Sequence, residues 1–157
     1  MEISEYLDLF NKKISFDDYL NLEELRVNKN SSFKISGKKW KNILKNQNFC
    51  CYYCKTDLRI IQELLLSRII NPRKRGKFGF SGMHFELDHK NANNNDNDEG
   101  NLVASCYYCN NDKSNTISSQ IFETYFGKTK KDAFDKLFKD NNLSFSKELR
   151  HHLNKIT

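Results

Sequence analysis

GNLVASCYYCNNDKSN, residues 100–115, decides how the rest of the chain is read. Its CYYC occurs once more, in FCCYYCK at 49–55. A CxxC turn aims two thiolates at one ion, and two such turns complete a tetrahedral sulfur site for zinc. Cys51, Cys54, Cys106 and Cys109 are therefore the expected ligands of a structural Zn²⁺. Two disulfides are one alternative, disfavoured in a reducing cytosol. A thioredoxin-like redox pair is another, but it needs a βαβ pattern beside its CxxC, and none is visible. Cys50 could exchange with Cys51, yet the matched spacing favours Cys51. Cys50 then reads as a small buried apolar residue.

Working outward from the two turns, the intervening chain divides by pattern. TDLRIIQELLLSRII (56–70) carries Leu58, Ile61, Leu65 and Ile69 on one helical face, with Thr56 or Asp57 as N-cap and Pro72 past its end. NPRKRGKFGFSG (71–82) reads as a basic, glycine-punctuated loop or hairpin. HFELDH (84–89) and NLVASC (101–106) are strand candidates, joined by the Asn/Asp-dense turn KNANNNDNDEG (90–100). YYCNNDKSN (107–115) begins a helix or tight turn.

Outside the turns, helices are expected at both ends. Ile3, Tyr6, Leu7 and Phe10 form one stripe, and Phe16, Tyr19, Leu20 and Leu25 suggest a second, short helix. GKKWKNILKN (37–46) places Trp40, Ile43 and Leu44 inward. KTKKDAFDKLFKD (128–140) places Phe134, Leu137 and Phe138 inward, and SFSKELRHHLNKI (144–156) is a last helix carrying His151 and His152.

A strand ending in Asp-His, an Asn-Leu opening the next strand, and CxxCN with a lysine three residues later resemble the HNH nucleases, the zinc-stapled branch of the ββα-metal endonucleases. The resemblance runs from about Cys51 to Ser114. It implies that His89 is the general base and that Asp88 and Asn110 bind one catalytic Mg²⁺ or Mn²⁺. It also implies that Asn101 braces the loop between the strands and that Lys113 meets a phosphate. His84 and Glu86 lie just upstream; Glu86 shares a strand face with Asp88 and reads as structural or as supporting the metal from behind. The chain departs from the common pattern in four ways, the first being asparagine, Asn110, rather than histidine at the last motif position, a variant the family also shows. It also has no proline soon after Asp-His, a single glycine (Gly100) before Asn-Leu, and a long insertion at 56–83.

The chemistry agrees with that assignment. Phosphodiester hydrolysis needs a nucleophile, charge relief on phosphoryl oxygens and help for the leaving alkoxide. Histidine titrates near neutrality, and a hard cation held by a carboxylate and an amide oxygen keeps open positions for phosphate and water. A four-thiolate zinc is saturated and cannot serve. Taken singly, Asp88 could cap a turn, His89 could lie on the surface and Asn110 could cap a helix.

Charge narrows the partner. The net charge is +6 over 157 residues, but residues 34–77 alone hold twelve basic and two acidic side chains. Such a block suits a polyanion, with salt-sensitive contacts; the plain alternative is a solvated lysine face. Arg73, Lys74, Arg75 and Lys77 are the candidate backbone contacts, against a basic loop with no specific role.

At 38% hydrophobic, the chain can bury only a modest core, so a metal staple would help it fold. No apolar run approaches the roughly 20 residues that span a bilayer, and MEISEYLDLF is not a signal sequence, so a cytoplasmic protein without membrane contact is expected. The expected architecture is one α+β domain over 1–157, with N-terminal helices (1–49) and C-terminal helices (117–157). Between them lies a zinc-stapled ββα core (50–116) with its insertion at 56–83. The expected function is metal-dependent endonucleolytic cleavage of nucleic acid, DNA before RNA, with a homodimer possible. A non-catalytic zinc module that binds nucleic acid, and a purely structural or interaction domain, are the competing readings.

Overall fold

The computed structural model describes residues 16–71, 73–75 and 79–144. The expected helices over 3–10 and 144–156, Pro72 and Lys77 therefore lie outside the described residues, Ser144 excepted. The chain is mixed α and β, and its backbone contacts group it into two compact units, where the sequence reading treats it as one domain. The breaks fall between Asn48 and Phe49 and between Leu143 and Ser144.

The first unit contributes α1 (Phe16–Lys29) and α2 (Gly37–Asn46). Asp17 and Asp18 open α1 while Arg26 and Lys29 close it, matching the helix dipole at both ends. Ser36 caps α2 by accepting from the Lys39 amide. The helices meet through Tyr19, Leu20, Val27, Trp40, Ile43 and Leu44. Leu25 is not among them: it is 54% exposed, because five residues beyond Leu20 is some 140° around a 3.6-residue helix. Glu23 is buried and is satisfied by Trp40 Nε1 at 2.9 Å and by a two-pronged contact from Arg26. A Cβ at Gly37 would meet the Glu24 carbonyl at 2.2 Å, so only glycine permits this helix approach.

The second unit runs Phe49–Leu143. After the first CYYC turn, α3 spans Leu58–Leu66. Asp57 is its N-cap, accepting from the Arg59 amide at 2.9 Å, and the buried Arg59 guanidinium folds back onto the same carboxylate. The helix stops earlier than its apolar pattern suggests. Arg68 takes a left-handed φ of +57°, and the Ile69 amide bonds back to the Leu64 carbonyl. Ile69 thus leaves the helical face on which the sequence placed it.

The basic segment is a hairpin, β1 (Arg73–Arg75) with β2 (Gly79–Ser81), antiparallel with Arg73 opposite Ser81. A second antiparallel pair follows: β3 (Glu86–His89) and β4 (Leu102–Ser105), with Asp88 opposite Val103 and His89 opposite Leu102. A single 3-10 turn, Glu99–Asn101, leads into β4. Then come α4 (Tyr107–Lys113), α5 (Ser119–Phe122), a π-helical turn (Glu123–Gly127) and α6 (Lys128–Asp140). Neither α5 nor the π turn was expected. Four residues show no periodicity, and a π turn has no sequence signature.

A two-stranded hairpin of four-residue strands is marginal on its own. Here β3 and β4 are held by burial of Phe85, Leu102, Val103 and Ala104 and by the first CYYC turn, whose Tyr52 amide donates to the Ala104 carbonyl at 2.9 Å. Helix α6 packs on α3, burying Phe134 against Tyr108 at a ring separation of 5.4 Å; Leu137 and Phe138 are half-buried.

Candidate active site and four-sulfur cluster

The sulfurs of Cys51, Cys54, Cys106 and Cys109 all lie within 4.8 Å of one another, and all four residues are buried. Two thiolates each about 2.3 Å from a tetrahedral ion stand about 3.8 Å apart. Cys54 and Cys106 Sγ are 4.0 Å apart, which fits shared coordination and is about twice a disulfide length. None of the five cysteines is in a disulfide.

Backbone amides face the sulfurs. Cys106 N donates to Cys51 Sγ at 3.3 Å, and Cys109 N to Cys106 Sγ at 3.4 Å. The second contact is also the N-cap of α4, so one sulfur serves both the helix and the cluster. Hydrogen bonds from Cys106 and Cys109 hold the Cys54 thiol well below its ordinary range, whereas burial pushes Cys106 up. A soft divalent ion is the chemistry that suits four buried sulfurs at once. Cys50 lies outside the cluster, bridging to Asp57 through the backbone, and burial pushes its thiol up to about 11.

The Asp-His end of β3 faces α4. Alternation along a strand puts Glu86 and Asp88 on one side. Asn110 and Lys113, three residues apart, share a face of α4. The result is two rungs. Asn110 Nδ2 donates to Glu86 Oε2 at 2.6 Å, and Lys113 Nζ lies 3.1 Å from Asp88 Oδ2. Lys113, expected as a phosphate contact, is only 1% exposed: it is buried against Asp88 rather than turned to solvent. The Tyr53 hydroxyl donates to the same Asp88 oxygen at 2.5 Å.

His89 is buried, and its Nε2 lies 3.0 Å from Asn97 Oδ1. In that arrangement Nε2–H donates to the amide oxygen and Nδ1 keeps the lone pair. Asn101 sits across the loop from His89. Its Oδ1 accepts from the Asn91 amide at 3.0 Å, its Nδ2 donates to the Asp96 carbonyl at 2.8 Å, and its own carbonyl accepts from Lys90 N. The loop that lacks the common glycine pair is thus closed by one asparagine side chain. Arg73, Lys74 and Arg75 lie on β1.

Residues 73–116 match the model of the HNH endonuclease family. The matched segment includes Asp88, His89, Asn101, Cys106, Cys109, Asn110 and Lys113. It excludes Cys51 and Cys54, so half of the sulfur cluster lies outside the match. No curated protein and no solved structure matches the chain. Among the described residues, no helix is long and apolar enough to cross a membrane.

The sequence reading missed Tyr53, Asn97 and Ser119, whose Oγ stands 2.9 Å from the Tyr53 oxygen, at this site. Only the CYYC spacing hinted at Tyr53, since residues inside a metal-bound turn are held close to whatever that turn packs on.

Proposed function

We propose that this protein is an HNH-type, metal-dependent endonuclease built on a ββα-metal core, with Zn²⁺ in the four-cysteine cluster and DNA as its substrate. The observation that carries the reading is the arrangement of Asp88. Tyr53 and Lys113 both approach Oδ2, and Oδ1 has only a long 3.5 Å contact to Lys113. Glu86 engages the Asn110 Nδ2, which leaves the amide oxygen as the free donor. One carboxylate oxygen and one amide oxygen are hard donors of the kind Mg²⁺ and Mn²⁺ select.

His89 Nδ1 accepts a proton from the attacking water, Asn97 holds the ring, and Asn101 holds the loop that carries Asn97. A divalent ion at Asp88 and Asn110 would supply charge relief on the phosphoryl oxygens and on the departing 3′ oxygen. Lys113 keeps Asp88 in place from the buried side. Arg73, Lys74, Arg75 and Lys77 contact the nucleic-acid backbone, and the products carry 5′-phosphate and 3′-hydroxyl ends.

One observation favours a second reading, a zinc-stabilised module that binds nucleic acid without cutting it: the Asp88 carboxylate already carries an ammonium partner. Supercoiled plasmid incubated with protein and Mg²⁺ or Mn²⁺ separates the two. Nicking is expected, abolished by EDTA and lowered by about 10²–10⁴-fold in His89→Ala. Undiminished nicking by His89→Ala removes the base assignment, and binding without cleavage on duplex, branched and single-stranded substrates supports the second reading.

A further inference from the structure

The two CYYC turns are alike in sequence and unlike in use. In both, the two tyrosines pack edge-to-face, at 5.2 and 5.4 Å, but in the second the Tyr108 ring packs on Phe134 and its hydroxyl makes a long 3.5 Å contact to the Asn71 carbonyl. In the first, Tyr53 is buried to 1% exposure with its ring edge-on to Phe122 and its hydroxyl on Asp88. Its neighbours in the turn, Cys51 and Cys54, belong to the sulfur cluster. The backbone around it is also clamped. Cys51 N and Lys55 N close the turn onto Thr56 O and Cys51 O, and a Cβ at Gly127 would meet the Tyr53 carbonyl at 2.3 Å.

The Tyr53 proton can be assigned. Asp88, when ionised, only accepts, so the single Tyr53 proton goes to Oδ2. The Ser119 hydroxyl has one proton and two acceptors within reach, the Tyr53 oxygen at 2.9 Å and the Lys90 carbonyl at 2.7 Å, and it shares that proton between them. Lys90 directly follows His89. A charge-assisted bond to Oδ2 from a buried ring packed on Phe122 restricts the rotation of the carboxylate and so the direction in which Oδ1 points.

We propose that Tyr53 is a positioning residue for Asp88: the first CYYC turn uses the rigidity of its sulfur cluster to orient the carboxylate oxygen that receives the hard divalent cation. The inference rests on the reading of Asp88 as a cation ligand. It extends that reading by giving one CYYC turn a role in the second metal site and denying it to the other. Tyr53→Phe is the direct probe, because it keeps the ring against Phe122 and deletes only the hydroxyl.

Mn²⁺ binding to the zinc-loaded full chain, followed by the loss of free-Mn²⁺ paramagnetic resonance signal, supplies a readout independent of cleavage. Tyr53→Phe is expected to weaken Mn²⁺ binding about tenfold, the worth of one hydrogen bond to a charged group. Its zinc content should stay at the wild-type level. In plasmid nicking it should shift the Mn²⁺ requirement upward while the rate at saturating Mn²⁺ recovers. Ser119→Ala removes a hydroxyl within reach of the Tyr53 oxygen and should shift binding in the same direction by less. Unchanged Mn²⁺ affinity in both variants, with binding still lost in Asp88→Ala, overturns the positioning role and leaves the cation site standing. Absence of any Asp88-dependent Mn²⁺ binding in the wild type overturns the cation site itself, and the positioning role with it.

Discussion

Lys113 Nζ lies 3.1 Å from Asp88 Oδ2, and the lysine is almost wholly withdrawn from water. A lysine at this depth is tolerated only because the carboxylate compensates its lost hydration. The pair also ties α4 to β3, alongside the Asn110–Glu86 contact one turn earlier.

Lys113→Met should therefore cost stability rather than only nucleic-acid affinity. Removing one partner of a buried pair leaves the other uncompensated, and the expected loss is roughly 3 kcal/mol by denaturant unfolding. A lysine that served as a phosphate contact would behave differently. Its loss would leave the unfolding midpoint in place and reduce the salt slope of binding by about one.

Glu86→Ala frees the Asn110 amide, so the oxygen it presents is no longer set. Nicking activity should fall about 10–100-fold, in keeping with the loss of a partner that orients a metal ligand. Circular dichroism of the variant should match the wild type, since Glu86 is only half-buried. A variant as active as the wild type would show that Asn110 needs no orienting partner.

The sulfur cluster predicts one tightly held zinc per chain by elemental analysis. Cys54→Ser should lose it and unfold the second unit, because structural zinc contributes about 10–16 kcal/mol of apparent binding energy at neutral pH. Cys50→Ser should keep the zinc, its thiol lying outside the cluster. Acidification should release the metal, as protons compete for the thiolates on which coordination depends.

Gly127→Ala tests the packing of the π turn on the first CYYC turn. The added methyl would meet backbone, the Tyr53 carbonyl at 2.3 Å, which cannot rotate away as a side chain could. A loss of about 1–3 kcal/mol is expected in thermal or denaturant unfolding. A neutral result would mean that the two turns separate freely.

Local chemistry determined much of this protein from sequence alone. The paired CxxC spacing marked Cys51, Cys54, Cys106 and Cys109, because a two-residue gap is what lets one turn offer two sulfurs to one ion. Alternation and Asn/Asp density marked β3, the loop and β4, and the Trp40, Ile43, Leu44 stripe marked α2. What the sequence did not carry were relations between distant groups. Nothing in the letters says that Tyr53 meets Asp88 across 35 positions, or that Lys113 turns inward to that same carboxylate. Those contacts arise only when the sulfur cluster lays one turn against β4 and α4 against β3. A buried hydroxyl or ammonium must then take whichever acceptor the packing brings within reach.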